Sequence, residues 1–387
     1  MGGDAPGVRV RNVVNESRSS RYHRHRRWAQ ALAIGARALL LLGVVLSGLS
    51  RSIGDASLEA VAGLPGPDTI VAALAMAMFG LVLSVLGDLV ALPFSWYSRF
   101  ALERRYRAAR VSLSAWFAGY GRMMALHASL WMSAGMGIHL MIASWPSMWW
   151  LVTGGVFGLL TIALSHVGPV LVLPRQYNVQ PLDRPALRTR LEALVRRVGS
   201  PGLAVYQLKL GLETLPQAAL VGLGATRRVL LSDSLLADYS DDEIEVVVAH
   251  ELAHHLNHDT WRTFAYEIVA AVTVCGAANL ALTWARPVLD PGPLGVVQGL
   301  PLMALVAGVA AKALGPVGNH ISRRQERRAD RDALEMTHRP DALASGLRRL
   351  AEQNLAEERP SLMVRWLFHT HPPLAERLEA ARGTADH

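Results

Sequence analysis

The chain is poor in cysteine, in lysine and in charge. Cys275 is the only cysteine in 387 residues, which excludes a disulfide framework and a thiolate metal site. Lys209 and Lys312 are the only lysines among 39 basic residues, an imbalance that points to a GC-rich, bacterial genome. Charged residues make up only 18% of the chain against 51% hydrophobic ones, and the mean hydropathy of +0.23 is foreign to a soluble protein. The net charge of +8 and the pI near 10.1 would suit nucleic acid, but the arginines flank apolar stretches, where they meet anionic headgroups. No nucleic-acid partner is expected.

What the chain does have is long apolar runs. Six of them, at 29–50, 69–91, 123–143, 149–173, 264–285 and 294–314, are long enough to cross about 30 Å of hydrocarbon. One buried core helix could mimic such a run, but six could not be accommodated in a soluble core. A cleaved signal peptide is the alternative for the first, which contains Arg37, yet its basic leader is long and no small-x-small cleavage site follows. Arg21, Arg24, Arg26 and Arg27 precede this run; Arg99, Arg104, Arg105, Arg107, Arg110 and Arg122 fill the second loop; Arg175 and the arginines from 323 to 331 follow runs four and six. Those segments belong inside, and the acidic or neutral loops around Asp55, Glu59 and Asp68, at 144–148, and around Arg286 and Asp290 belong outside. The expected protein is mainly α, a polytopic helical membrane protein of a bacterial inner membrane with a zincin-like α+β catalytic domain and both termini in the cytoplasm. Its segments are a disordered basic leader (1–27), four spans with a basic loop (28–173), a cytoplasmic catalytic segment (174–262), a transmembrane hairpin (263–318) and a cytoplasmic C-terminal region (319–387).

The run His250-Glu251-Leu252-Ala253-His254 carries the chemistry. Imidazoles four residues apart on a helix share a face and can grip one zinc ion, and the glutamate between them can take a proton from a water at the metal's open position. This implies a hydrolase, a peptidase above all. Ser240-Asp241-Asp242-Glu243 forms a capping box that starts the helix. Glu326 is the candidate third ligand, four residues before Asp330, whose carboxylate could hold the outer N–H of a ligating imidazole. The alternative is a solvated charge cluster, because Arg323, Arg324, Arg327, Arg328 and Arg331 surround the pair. The predicted hairpin of spans five and six favours ligation, since it returns Glu326 to the membrane face that carries His250 and His254.

Before the motif, 185–198 has helical periodicity, 203–210 reads as a strand, and 218–221 with 228–231 form a hairpin around Gly222 and Gly224. A strand beside a metal site can bind an extended peptide through its backbone, or it can simply cover the helix. Asp88, His127, His139 and His166 lie within spans, are expected to face a water-filled interior or an interface, and are not assigned to metal. His255, His258 and Asp259 are expected to shape the end of the motif helix.

Several segments together resemble the membrane-integral zinc metallopeptidases of the type 1 CAAX prenyl protease family. They are the run from Leu92 to Glu103 (LPFSWYSRFALE), the zinc motif, the segment from Glu326 to Asp330, and the run from Phe368 to Leu378 (FHTHPPLAERL). The resemblance covers about 69 to 382. It implies Zn2+ held by His250, His254 and Glu326, Glu251 as general base, Asp330 behind a ligand, His371 near the substrate carbonyl, Arg377 assisting there, and a membrane-associated polypeptide as substrate. Gln217-Ala218 stands where the family has an Asn-Ala strand, so Gln217 presents the same amide on a longer arm. The family has seven spans, and residues 111–121 are the candidate for a short or re-entrant seventh. Turnover of damaged membrane proteins is the alternative activity. A non-proteolytic membrane sensor with a zinc site is the alternative of another kind, opposed by the intact glutamate, which a structural site would not need.

Overall fold

In the computed structural model, residues 18–107, 111–167, 178–199, 203–209, 218–221, 227–285, 287 and 293–383 are described. The chain begins with α1 (Arg18–Leu46), a short helix α2 (Leu49–Glu59), α3 (Asp68–Trp96) and, past a π-helical turn at Tyr97–Ala101, α4 (Leu102–Arg107). α5 (Leu113–Ser144) and α6 (Trp149–Ile162) follow. An α+β section then comprises β1 (Asn178–Pro181), α7 (Pro185–Arg197), β2 (Ala204–Lys209), β3 (Ala218–Val221), β4 (Arg228–Ser232), α8 (Asp233–Asp238) and α9 (Asp241–Leu256). The chain returns to long apolar helices in α10 (Asp259–Ala285), α11 (Pro293–Gln298) and α12 (Leu300–Thr337), and ends with α13 (Pro340–Asn354), α14 (Leu362–Phe368) and α15 (Leu374–Gly383).

Among the described residues five helices are long and apolar enough to cross a membrane: α1, α3 with its continuation, α5, α10 and α12. The sequence count was six, and the difference lies in the fourth run. Residues 149–167 give the shorter apolar helix α6 and a π-helical turn at Ala163–Val167, and the rest of the fourth run, 168–173, lies outside the described residues. Residues 111–121 form no separate span, because from Leu113 onward they are the first turns of α5, capped by the Ser112 hydroxyl, which accepts from the Ala115 amide at 3.2 Å.

Small residues let these helices approach closely. A Cβ on Gly80 of α3 would stand 2.8 Å from the Trp131 carbonyl oxygen of α5, and one on Gly135 of α5 would stand 2.8 Å from the Met76 carbonyl oxygen of α3, so the two backbones are in mutual contact. Arg37, the residue that weakened the first run, is neutralised across the helix pair: it donates to Asp88 of α3 at 2.6 Å and to the Gly87 carbonyl at 3.2 Å, while His127 of α5 lies 2.9 Å from the same carboxylate. A charge in hydrocarbon persists only where it is paired, and this triad ties α1, α3 and α5 together. Arg27 forms a two-bond pair with Glu357, which joins α1 to the C-terminal region.

The strand order is β1-β2-β4-β3, with β2 and β4 parallel and the outer pairs antiparallel. β3 and β4 are the hairpin read from the sequence, with Ala219 opposite Leu230, and β3 is an edge strand. One face of the sheet packs on α7 and α9 through Leu187, Leu191, Val229, Leu231, Ile244, Val248 and Leu252. Ile244, Val248 and Leu252 recur every four residues on α9, and full burial of each contributes about 1.5–3 kcal/mol. That stripe fixes the rotation of α9 and turns His250, Glu251 and His254 away from the core.

Candidate active site

The helix that carries the motif begins as the sequence predicts. Ser240 accepts from the Glu243 amide at 3.3 Å, and Glu243 accepts from the Ser240 amide at 2.8 Å, closing a capping box. α9 ends at Leu256, His258 adopts a left-handed φ of 55°, and α10 starts at Asp259, so the motif helix and a membrane-spanning helix meet at a two-residue corner.

Glu326 comes from α12, which packs lengthwise on α10 and also on α9. Its carboxylate reaches both imidazoles: Oε2 lies 3.4 Å from His250 Nε2, Oε1 lies 3.6 Å from His254 Nε2, and the two Nε2 atoms are 3.2 Å apart. Three tetrahedral donors each 2.0–2.1 Å from one divalent ion sit roughly 3.3 Å from one another, close to the 3.2 Å between the imidazole nitrogens and the 3.4 Å from His250 to Glu326 Oε2, and one donor atom from each of the three residues lies within 4.8 Å of the others. Two neutral nitrogens and one carboxylate oxygen also leave a fourth position open. The solvated charge cluster considered for Glu326 is excluded by its burial.

The outer nitrogens of both imidazoles face carboxylates, that of His254 through a hydrogen bond. His250 Nδ1 lies 3.0 Å from Asp330 Oδ1, and Arg377 donates to Asp330 through Nε at 2.7 Å and Nη2 at 2.6 Å. His254 Nδ1 lies 3.0 Å from Asp259 Oδ2, and Arg328 donates to the other oxygen of Asp259 at 2.6 Å. Each ring is thereby oriented with Nε2 toward the cluster. The sequence alone does not disclose the Asp259 contact, which depends on the backbone corner at His258. Burial disfavours an imidazolium at His250, but Asp330 and Glu326 outweigh it and push the pKa up to about 9.

Glu251 faces the same cleft. Burial raises its carboxyl above the ordinary value, and His250 and His254 oppose that rise. Ala218 of β3 lines a cavity of about 300 Å³ together with His250, Glu251, Glu326 and His371, its far wall formed by Leu343 and Leu347 of α13. Gln217 lies outside the described residues. His371 is exposed to the cleft and places Nδ1 3.0 Å from Glu326 Oε2. Arg377 lines the cavity as well, but its guanidinium is committed to Asp330 and approaches Glu326 no closer than 3.9 Å.

Comparison with known proteins agrees with this geometry. Residues 181–385 match the model of peptidase family M48, and residues 13–175 match the CAAX prenyl protease N-terminal model, described as five membrane helices. The uncharacterized metalloprotease YhfN of Bacillus subtilis is 24% identical over 310 residues, 78% of this chain and 72% of that protein. The probable CAAX prenyl protease 1 of Schizosaccharomyces pombe is 26% identical over 310 residues, 78% of this chain and 64% of that protein. The fold is similar to the crystal structure of S. mikatae Ste24p, with a TM-score of 0.75 at 20% identity over 94% of this chain and 87% of that one. The paired imidazoles, the carboxylate that reaches them and the spanning helices that carry them agree with the sequence match over more than half the chain: the protein is an integral membrane metallopeptidase and belongs to peptidase family M48.

Proposed function

We propose that the protein is a zinc-dependent endopeptidase that hydrolyses membrane-associated or strongly hydrophobic polypeptides, with His250, His254 and Glu326 as the metal ligands. The observation that carries this reading is the convergence of the three side chains beside Glu251 and β3: the two imidazole Nε2 atoms stand 3.2 Å apart, and the two oxygens of Glu326 reach one each, at 3.4 and 3.6 Å. Zinc bound there would supply Lewis-acid activation of a water and of the scissile carbonyl. Glu251 takes the proton from the attacking water on its carboxylate and returns it to the departing amine nitrogen. His371 turns its free ring nitrogen toward the carbonyl oxygen, where negative charge develops. Asp330 and Asp259 keep the ligand imidazoles in the tautomer that presents Nε2, and Arg377 holds Asp330 rather than touching substrate. β3 offers backbone groups to an extended chain, beginning at Ala218 and, outside the described residues, Gln217.

The site stands at the ends of two spanning helices, which favours substrates that lie in or against the bilayer. The arginine distribution supports a cytoplasmic active site and termini, and the scarcity of lysine supports a bacterial inner membrane. Processing of lipidated C-termini and turnover of damaged membrane proteins use the same chemistry and differ in the client. The non-proteolytic sensor finds no support in the comparisons.

Glu251→Gln tests the reading. The variant should retain zinc because the ligands remain, and should lose hydrolysis by several orders of magnitude because the base is gone. Isolated from native membranes, it should hold its clients: lipidated C-terminal peptides would favour processing, and diverse misfolded membrane proteins would favour turnover. A fully active Gln variant would end the assignment of Glu251.

A further inference from the structure

We propose that α14 is a membrane-surface anchor, a short helix that lays its apolar face into the headgroup layer and thereby positions the segment carrying His371.

The bilayer interfaces can be located on the protein itself. α10 carries exposed tryptophans at both ends, Trp261 and Trp284, at 57% and 78% exposure. They stand roughly 35 Å apart along the helix, the thickness of the hydrocarbon and the start of its headgroups. Exposed tryptophan at that spacing marks the two interfaces. α12 runs antiparallel and in fixed register: Tyr266 donates to the Leu314 carbonyl at 2.7 Å, and Gln325 donates to the Asp259 carbonyl and to the Thr263 hydroxyl, each at 3.3 Å. The stretch of α12 from Gly318 to Gln325 therefore lies at the level of Trp261, at the interface nearer the metal-ligand cluster. Trp28 of α1, 62% exposed, directly follows Arg26 and Arg27, as an interfacial residue should.

α14 is held at this level. Asn319 donates to the carbonyls of Leu367 at 2.9 Å and Trp366 at 3.3 Å, and Arg323 donates to the carbonyls of Arg365 at 3.0 Å and His369 at 2.6 Å. These bonds satisfy the C-terminal carbonyls of a helix that buries none of its own residues. Leu362, Met363 and Trp366, at 77%, 71% and 55% exposure, fall at i, i+1 and i+4 on one face. The exposed Arg324 on the neighbouring turn of α12 suits an anionic headgroup. The occupant this surface fits is the headgroup and upper acyl layer of an anionic bilayer.

The consequence for the site rests on the proposed role of His371; the anchor itself does not. Phe368 ends α14 and His371 follows within three residues, Arg323 having fixed the intervening His369 carbonyl. A helix seated in lipid would thus hold the His371 ring beside Glu326, and a helix lifted from lipid would release it.

The test uses the full chain in nanodiscs of mixed phosphatidylglycerol and phosphatidylethanolamine. Cys275→Ala removes the only thiol, and nitroxides are then placed singly at Leu362→Cys, Trp366→Cys and, as an aqueous control, Glu358→Cys. Power saturation should show 362 and 366 more accessible to oxygen than to a nickel chelate, with the reverse at 358. Nickel accessibility at 362 and 366 equal to that at 358 would overturn the anchor, and so would protection appearing only on addition of a hydrophobic peptide, which would assign the face to substrate. A label-free check covers distortion by the nitroxide: quenching of tryptophan emission by brominated acyl chains should lose one tryptophan's share in Trp366→Phe, and an unchanged share would also overturn it. Trp366→Asp should lower kcat roughly tenfold or more, as misplacement of a reacting group does, with zinc content unchanged and Trp366→Phe close to wild type. Interfacial labels with an unchanged kcat in Trp366→Asp would overturn the coupling while leaving the anchor, and an inert His371→Ala would instead remove the role of His371 on which the coupling rests.

Discussion

Replacing Arg377 with glutamine separates two roles for one guanidinium. The family resemblance places it near the substrate, whereas the structure commits it to Asp330 through two short bonds, one of them to the carboxylate oxygen that faces His250. Asp330 is buried, so removing its cation leaves a carboxylate facing His250 with little compensation. Breaking such a pair costs about 3–5 kcal/mol of stability. The effect on the metal is smaller, because Asp330 still touches His250 Nδ1 but holds it less firmly. Loss of an outer partner of a ligand lowers metal affinity about 10- to 100-fold, or about 1.4–2.7 kcal/mol. Competition with a chelator of known affinity reads the second quantity, and thermal unfolding in a fixed lipid environment reads the first. Arg377→Lys should recover little of either, since an ammonium cannot reproduce the fork. In a cycle with Asp330→Asn the double variant should cost clearly less than the two single losses combined. An Arg377→Gln protein with normal stability and metal affinity but a raised KM would refute the reasoning and return the side chain to the substrate.

Two further outcomes follow from packing and charge. A Cβ on Gly154 would lie 2.5 Å from Val272 Cα, whereas one on Gly155 meets nothing within 4 Å, so Gly154→Leu should destabilise the α6 and α10 pair by about 1–3 kcal/mol or more while Gly155→Leu is tolerated. Equal melting temperatures for the two variants would contradict the close helix contact. Burial opposes ionisation of Glu357, but His369 and Arg27 outweigh it and depress its pKa from 4.5 to about 2. A depressed folded value contributes stability at neutral pH that is lost as pH falls from about 4.5 toward 2, so the gap between wild type and Glu357→Gln should close across that window, as checked by unfolding against pH.

Features set by local spacing were legible in the sequence. The capping box, the i to i+4 pairs His250/His254 and Glu326/Asp330, and the hairpin before the motif each depend on a few adjacent residues, and each took the predicted form. Joining the two pairs needed only the rule that a hairpin of spans returns the chain to its starting side. What escaped depended on register between distant helices. Arg37 looked like a defect in the first run because its partner Asp88 lies on another helix, and Asp259 looked like a helix-end residue because its contact with His254 depends on the corner at His258. The fourth run yields only the shorter helix α6 among the described residues, and the rest of it, 168–173, lies outside them.

α12 runs unbroken from Leu300 to Thr337, and α9 joins α10 across a two-residue corner, so the three metal-donor side chains are mounted on the ends of two bilayer-crossing struts. Struts answer to the thickness of what they cross, since a thinner hydrocarbon layer tilts them further from the normal. Because the two struts carry opposite halves of the donor set, unequal tilting changes the gap between the imidazoles and the Glu326 carboxylate, a gap of only 3.4–3.6 Å. With the metal held by His250, His254 and Glu326 as proposed, the lipid phase would enter its coordination geometry, and acyl-chain length would become a variable of catalysis in its own right.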